Sequence, residues 1–189
     1  MKKILVLFIN FFAFSLIANA QIPGADIKMQ SASGKQFSIN DLKKDNGLLV
    51  IFINNSCDVV IKGQQRQIAV SDLARRNNIG VVYINSSKNR SSSESISAMK
   101  DYANTQNFNW EYLADDGGKI ASAFGASKVP VVYLYNKAGK LVYQGAIDDN
   151  PADELGVTQQ YLRQAIDNLV AGKDVLIKKS KVIGCSIKN

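Results

Sequence analysis

The distribution of apolar and polar positions separates strands from helices along most of the chain. Leu48-Leu49-Val50-Ile51-Phe52-Ile53 is an uninterrupted apolar run, as in a strand covered on both faces of a sheet. Polar Asn54-Asn55-Ser56 follows, and from Asp58 to about Arg76 apolar residues return at helical spacing through Ile61, Ile68, Ala69 and Leu73. Gly63 lies inside that predicted helix and weakens it by ~1 kcal/mol relative to alanine. Residues 80–84 predict the next buried strand, the serine-rich stretch 86–93 a polar loop ending in a cap, and residues 94–105 a helix. Upstream, 27–30 and 36–39 flank Ser33-Gly34-Lys35 and predict an N-terminal β-hairpin. Downstream, 110–113 reads as a short strand and 118–124 as a short helix closed by Gly125 in a left-handed cap. Residues 131–135 and 141–145 form a second hairpin pattern around Asn136 to Lys140. A last helix over 158–171 gathers Tyr161, Leu162, Ala165, Ile166 and Leu169 on one face, and Gly172 ends it. A basic tail from about residue 173 carries Cys185. This order predicts one α/β domain with a central mixed sheet and helices on both faces.

Residues 1–20 stand apart from that pattern. Lys2 and Lys3 precede an apolar run from Ile4 to Ile17, and Ala18-Asn19-Ala20 supplies small residues at a cleavage point, the signature of a secretory signal peptide. The run is shorter than the ~20 residues a bilayer core requires. Gln21 stands where a lipoprotein would carry cysteine, so the expected mature domain, 21–189, is periplasmic or secreted with no stable membrane anchor. Loss of Lys2 and Lys3 lowers the formal charge from +7 to +5. The remaining surplus is scattered, as at Lys43-Lys44 and Arg75-Arg76, without the interleaved aromatics of a nucleic-acid platform. Nucleic acid is therefore not an expected partner.

Composition then narrows the chemistry. The chain has no histidine, which removes the commonest general base and the commonest transition-metal ligand. Its two cysteines alone make a poor zinc site, and Gly117-Gly118-Lys119 lacks phosphate-loop spacing. No metal or cofactor is implied. What remains is thiol chemistry at Cys57 or Cys185, or none, and an even cysteine count in an exported chain equally permits a plain structural disulfide.

Several stretches together resemble the thioredoxin-like superfamily, and more closely its redoxin branch, the alkyl hydroperoxide reductase/thiol-specific antioxidant relatives. They are Phe52 to Cys57, Val81 to Asn85, Phe124 to Pro130, Gly139 to Tyr143, Gly145 to Asn150 and Ile183 to Lys188. The resemblance implies a thioredoxin-like fold and a cis Val129-Pro130 bond facing Cys57. It places Cys57 at the attacking position of a CxxC-type motif that here reads Cys57-Asp58-Val59-Val60. Valine has no sulfur, so two-cysteine turnover within the motif is impossible. The negative charge of Asp58 opposes the thiolate that the same helix start favours. A frame shifted back by three residues instead sets Asn54 in place of the first cysteine and Cys57 in place of the second. In a peroxidase reading, Asn54 stands in for the threonine of a TxxC motif, and Lys128 is the only cation near Pro130 to replace an arginine, as a point charge rather than a planar fork.

Cys185 is either the redox partner of Cys57 or a free or structural tail thiol. Asp148 and Asp149 read as turn formers and caps, and Trp110, Tyr112 and Tyr133 as core aromatics. Two functional classes follow: a thiol-dependent oxidoreductase or antioxidant protein, acting on protein thiols and disulfides or on peroxide, or a catalytically inactive binding module beside Pro130. The export expectation is checked by the intact mass of the secreted protein, expected to begin at Gln21; a mass retaining Met1 to Ala20 refutes it.

Overall fold

A computed structural model describes residues 21–87 and 89–187; the signal segment expected over 1–20 lies outside them. Strand β3 (Gly47–Phe52) forms the centre, and each of Leu48 to Phe52 is fully buried, because neighbouring elements cover both faces of this apolar run. It pairs antiparallel with β7 (Val131–Asn136), which pairs antiparallel with β8 (Leu141–Gly145). On the other side lies β4 (Ile79–Ser87), whose Ile84 carbonyl accepts the Ile53 N–H at 3.0 Å. β4 runs parallel to β5 (Glu111–Asp116), and β5 antiparallel to β1 (Met29–Ser31). β1 pairs with β2 (Gln36–Phe37) as the N-terminal hairpin, two residues shorter on its second arm than the sequence pattern predicts.

The helix expected over 58–76 is broken into α1 (Asp58–Lys62) and α2 (Gln64–Arg76) at Gly63. The break has a visible partner: the buried Gln67 side chain donates to the Val60 carbonyl at 2.8 Å, a group that an unbroken helix would satisfy from its own backbone. Helix α3 (Ile96–Thr105) starts later than predicted, with Ser95 as its cap accepting the Ala98 N–H at 3.2 Å. Helix α4 (Lys119–Phe124) ends at Gly125 with φ 66°, the left-handed cap expected, and α5 (Tyr161–Val170) is trimmed at both ends. α2 and α5 pack together and against β4, β7 and β8, while α3 and α4 pack on β5, giving the mixed sheet covered by helices. No helix among the described residues is long and apolar enough to cross a membrane.

The polar loop predicted to begin at Ser86 is instead the buried end of β4, paired through Ser86↔Asp115 and Ser87↔Asp116. Burial of Ser86 and Asp115 is tolerated because their polar side chains find partners. Asp115, 2% exposed, accepts from Ser86 Oγ at 2.7 Å and from the Ile120 and Ala121 N–H groups at 3.0 and 2.9 Å, which fastens the start of α4 to the sheet. Replacing Asp115 with alanine strands these three donors and is expected to cost about 2–4 kcal/mol. Denaturant unfolding measures this, and a loss below about 0.5 kcal/mol, the range of an ordinary surface change, contradicts it.

Candidate redox site at the start of the first helix

Cys57 caps α1. Its backbone is extended (φ −82°, ψ 119°), its carbonyl accepts the Ile61 N–H at 2.9 Å, and only 2% of the residue is exposed. The chain after α5 runs back across the molecule to β9 (Cys185–Ser186), which pairs antiparallel with β6 (Lys128–Val129) in the register Val129↔Cys185 and Lys128↔Ser186. Cys57 and Cys185 are joined by a disulfide, with Cα atoms 5.9 Å apart across a sequence separation of 128.

Pro130 follows β6 directly, the Val129–Pro130 peptide is cis, and the Val129 carbonyl oxygen lies 3.7 Å from Cys57 Sγ. The disulfide sulfur carries no hydrogen, so this is a packing contact.

The turn before Cys57 is held by a residue that sequence reasoning placed at a helix start. Glu94, 7% exposed, accepts the Asn55 N–H at 2.9 Å and an Asn85 Nδ2–H on one oxygen, and the Ser56 N–H at 3.1 Å and Ser56 O–H at 2.6 Å on the other. Asn55 is further fixed by donating Nδ2 to the Ser93 carbonyl at 2.9 Å and by accepting from the Tyr112 O–H at 3.0 Å. Burial holds the Tyr112 phenol well above its ordinary value, opposed by its hydrogen bond from Asn85, so it stays a neutral donor. Arg90 closes the network, donating to Asn85 Oδ1 at 3.0 Å and the Glu94 carbonyl at 2.8 Å while pairing with Asp116 at 2.8 Å. Asn54 is half-buried just after β3, and its buried Oδ1 has no hydrogen-bond partner among the described residues.

Lys128 sits on β6 with its residue exposed, and it is not the only cation near the proline. Arg66, from α2, borders a small cavity with Val59, Pro130 and Ile147. Its guanidinium is fully engaged, pairing with Asp148 at 3.0 Å and donating to the Asn150 and Pro151 carbonyls at 2.8 and 3.2 Å. Asp148 is thus more than the turn former expected, and Asp149 accepts the Thr158 and Gln159 N–H groups at 3.0 Å each, holding the segment that leads into α5 rather than capping the helix itself. A larger cavity of about 600 Å³, bordered by Lys44, Phe108 and Trp110, lies at the opposite ends of β4 and β5 and holds neither cysteine.

The AhpC/TSA family model matches residues 19–144. This chain belongs to the AhpC/TSA family. A hypothetical protein from Sinorhizobium meliloti 1021 has a similar structure, 30% identical, with a TM-score of 0.80 over 89% of this chain and 93% of its own. An uncharacterized conserved protein from Geobacillus kaustophilus is 27% identical, with a TM-score of 0.79 over 90% and 93%. At 16% identity and a TM-score of 0.57, over 76% and 96%, a secreted Mycobacterium tuberculosis disulfide oxidoreductase shares the thioredoxin-like fold. No curated protein matches the chain. In this AhpC/TSA protein the match ends at residue 144, before the tail that brings Cys185 to the site.

Burial raises the Asp148 carboxyl above the ordinary aspartate value of 3.8, and the Arg66 guanidinium only partly offsets this. The folded state therefore binds a proton here at a pH where the unfolded chain does not. The resulting stabilisation is complete below 3.8 and is lost as pH rises through the raised folded value. Asp148→Asn is expected to lose stability more steeply than the wild type on acidification through that window. Unfolding free energies from pH 6 downward check this, and parallel slopes refute it.

Proposed function

We propose that the chain is an exported thioredoxin-like redoxin that exchanges thiols and disulfides with protein partners through Cys57, with Cys185 as its second thiol. The observation that supports this reading is the bond from Cys57, at a helix start, to a cysteine on a separate segment lying against Val129. Val60, fully buried, occupies the motif position that would otherwise supply the second sulfur. In the reduced protein the Cys57 thiolate attacks a partner disulfide, forms a Cys57–partner bond and releases one partner sulfur, which takes up a proton. The Cys185 thiolate then attacks Cys57 Sγ and expels the second partner sulfur as a thiol. The partner gains two electrons, the cysteine pair loses two, and an external dithiol restores the pair by the reverse exchange.

Peroxide is the weaker candidate oxidant, since the Arg66 guanidinium is engaged by Asp148 and two carbonyls and Lys128 is exposed. The second reading, a non-catalytic binding module, draws on the burial of Cys57 and the absence of sulfur at Val60. In that case the disulfide serves as a staple, and closing a loop of this length stabilises the fold by about 5 kcal/mol. Export to the periplasm or beyond is supported by the Ala18-Asn19-Ala20 signal and by a disulfide of a kind that persists in oxidising compartments.

Turnover of a protein disulfide by the wild-type chain, fed by a dithiol, tests the reading. Cys185→Ser is expected to stall as a one-to-one mixed disulfide on Cys57, with turnover reduced at least about a hundredfold because nothing expels the partner. Adding Val60→Cys to that variant is expected to recover part of the rate. Equal turnover with and without Cys185, or none in the wild type, overturns the proposal.

A further inference from the structure

We propose that the cavity at the N-terminal ends of β4 and β5 is a binding site for a small planar aromatic anion, of the aryl carboxylate kind. Neither cysteine borders it, so the inference goes beyond the thiol exchange proposed above and does not depend on it.

The path of the chain opens the cavity. β5 joins β4 only from Val82↔Glu111 onward, which leaves Ile79, Gly80 and Val81 with no paired strand on that side among the described residues. Gly80 lets one wall come close: a Cβ there would lie 2.0 Å from the Leu42 carbonyl oxygen, so the turn Asn40–Leu42 seats directly on β4. Opposite it α3 ends, Asn107 turns the chain back with φ 54°, and the Phe108 N–H donates to the Ala103 carbonyl at 2.9 Å. That turn delivers Phe108 and Trp110 to the opening. The space enclosed, about 600 Å³, is of the size that takes small organic ligands.

The wall favours a flat ring. Phe108 and Trp110 are stacked, with ring centroids 5.1 Å apart and planes 25° from parallel, and both border the cavity half-buried. Beneath them Tyr83 is 1% exposed and meets the two rings at 4.8 and 5.1 Å, so the pair rests on the core. An aromatic ligand covers the ring surface that the fold leaves open, by an offset or edge contact. No hydrogen bond holds the indole in place: Trp110 Nε1 is buried with no partner among the described residues, which leaves the wall one unspent donor.

The rim sets the sign of the charge. Three elements bring cations to it: Lys44 ahead of β3, Arg75 in the last turn of α2, and Lys100 on the face of α3 that also carries Ala103 and Asn104. Its two acids are already engaged. Asp41 accepts from Lys28 Nζ at 2.5 Å and from the Ser38 N–H at 2.6 Å, and Glu111 accepts from the Ser31 and Ser33 hydroxyls. Arg75 reaches Asp72 at 3.5 Å, whereas Lys44 and Lys100 are exposed and form no ion pair among the described residues. Uncommitted positive charge beside an aromatic wall is what remains for a ligand. A carboxylate on a flat ring meets both, and the same lysines disfavour an aromatic cation.

Trp110 is the only tryptophan in the sequence, so its emission reports on this wall alone. The probe is anthranilate, a flat aryl carboxylate that absorbs where tryptophan emits, titrated into the full mature chain. Quenching of Trp110 that saturates below about 1 mM is expected. Binding is expected to weaken at least about tenfold in the Lys44→Gln/Lys100→Gln variant, and for the neutral methyl ester of the probe. Ala103→Leu, which intrudes on the cavity, is expected to weaken it as much while circular dichroism and the melting temperature show a folded protein. Lys137→Gln, in the turn between β7 and β8, is expected to bind as the wild type does. Cyclohexanecarboxylate, an anion without a flat ring, is expected to compete at least about tenfold less well than benzoate. The proposal is overturned by a lack of saturable quenching, by equal affinity for acid and ester, by undiminished binding in the double lysine variant or in Ala103→Leu, by an equal loss in Lys137→Gln, or by equal competition from the two carboxylates.

Discussion

The register between β3 and β7 is the constraint on which the site depends. Phe52 pairs with Val131, so the last residue of one central strand and the first of the other share one end of the sheet. Cys57 follows five residues after Phe52 and Pro130 comes one residue before Val131, which is how two segments far apart in sequence meet. A slip that kept the same faces buried would have to be of two residues, and at 3.4 Å per residue would move Val129 by about 7 Å. The fully buried Leu48 to Ile51 and Val132 and Leu134 make such a slip costly, because every packed pair along the strands would change. Pro130 has no N–H, so the ladder is interrupted there and β6 is left to take a different neighbour.

A second constraint acts from the opposite side of the turn. Residues 54–56 have no regular structure to satisfy their backbone, and the Glu94 side chain substitutes for it by accepting the Asn55 and Ser56 N–H groups, with the Ser56 hydroxyl as a third donor from the same turn. Glu94 is itself tethered through Asn85, Arg90 and Tyr112, which belong to β4, the following loop and β5. The sheet thus grips the turn at both its ends: through the strand that leads into it and through a carboxyl group approaching from beyond β4. Buried polar networks of this kind hold one geometry well because a half-satisfied version is costly.

The sequence shows the parts of this arrangement that are periodic or local. The apolar run at 48–53, the hairpin around Asn136 to Lys140 and the left-handed cap at Gly125 are all present as read. Helicity over 58–76 was legible but its break was not, because Gly63 alone weakens a helix only modestly and the deciding contact is Gln67 with Val60. Ser86 and Ser87 look like loop, and only their neighbours Asp115 and Asp116 on β5 make a strand of them. Cys57 stands out by type and position. Glu94 and Arg66 do not, since an acid in a serine-rich stretch and an arginine on a helix resemble surface charges until long-range partners are known. Cys185 could be noticed, but its pairing across 128 residues is a property of the tail's path, which no periodicity encodes.

That separation also orders events in time. Synthesis proceeds from the N-terminus, so Cys57 and the strands around it are complete long before residue 185 exists. During that interval β6 has no neighbour and Cys57 has no sulfur of its own chain to meet. Closure of the site therefore waits for a residue made 128 positions after Cys57, and the two sulfurs can be joined only once the strands between them have been synthesised.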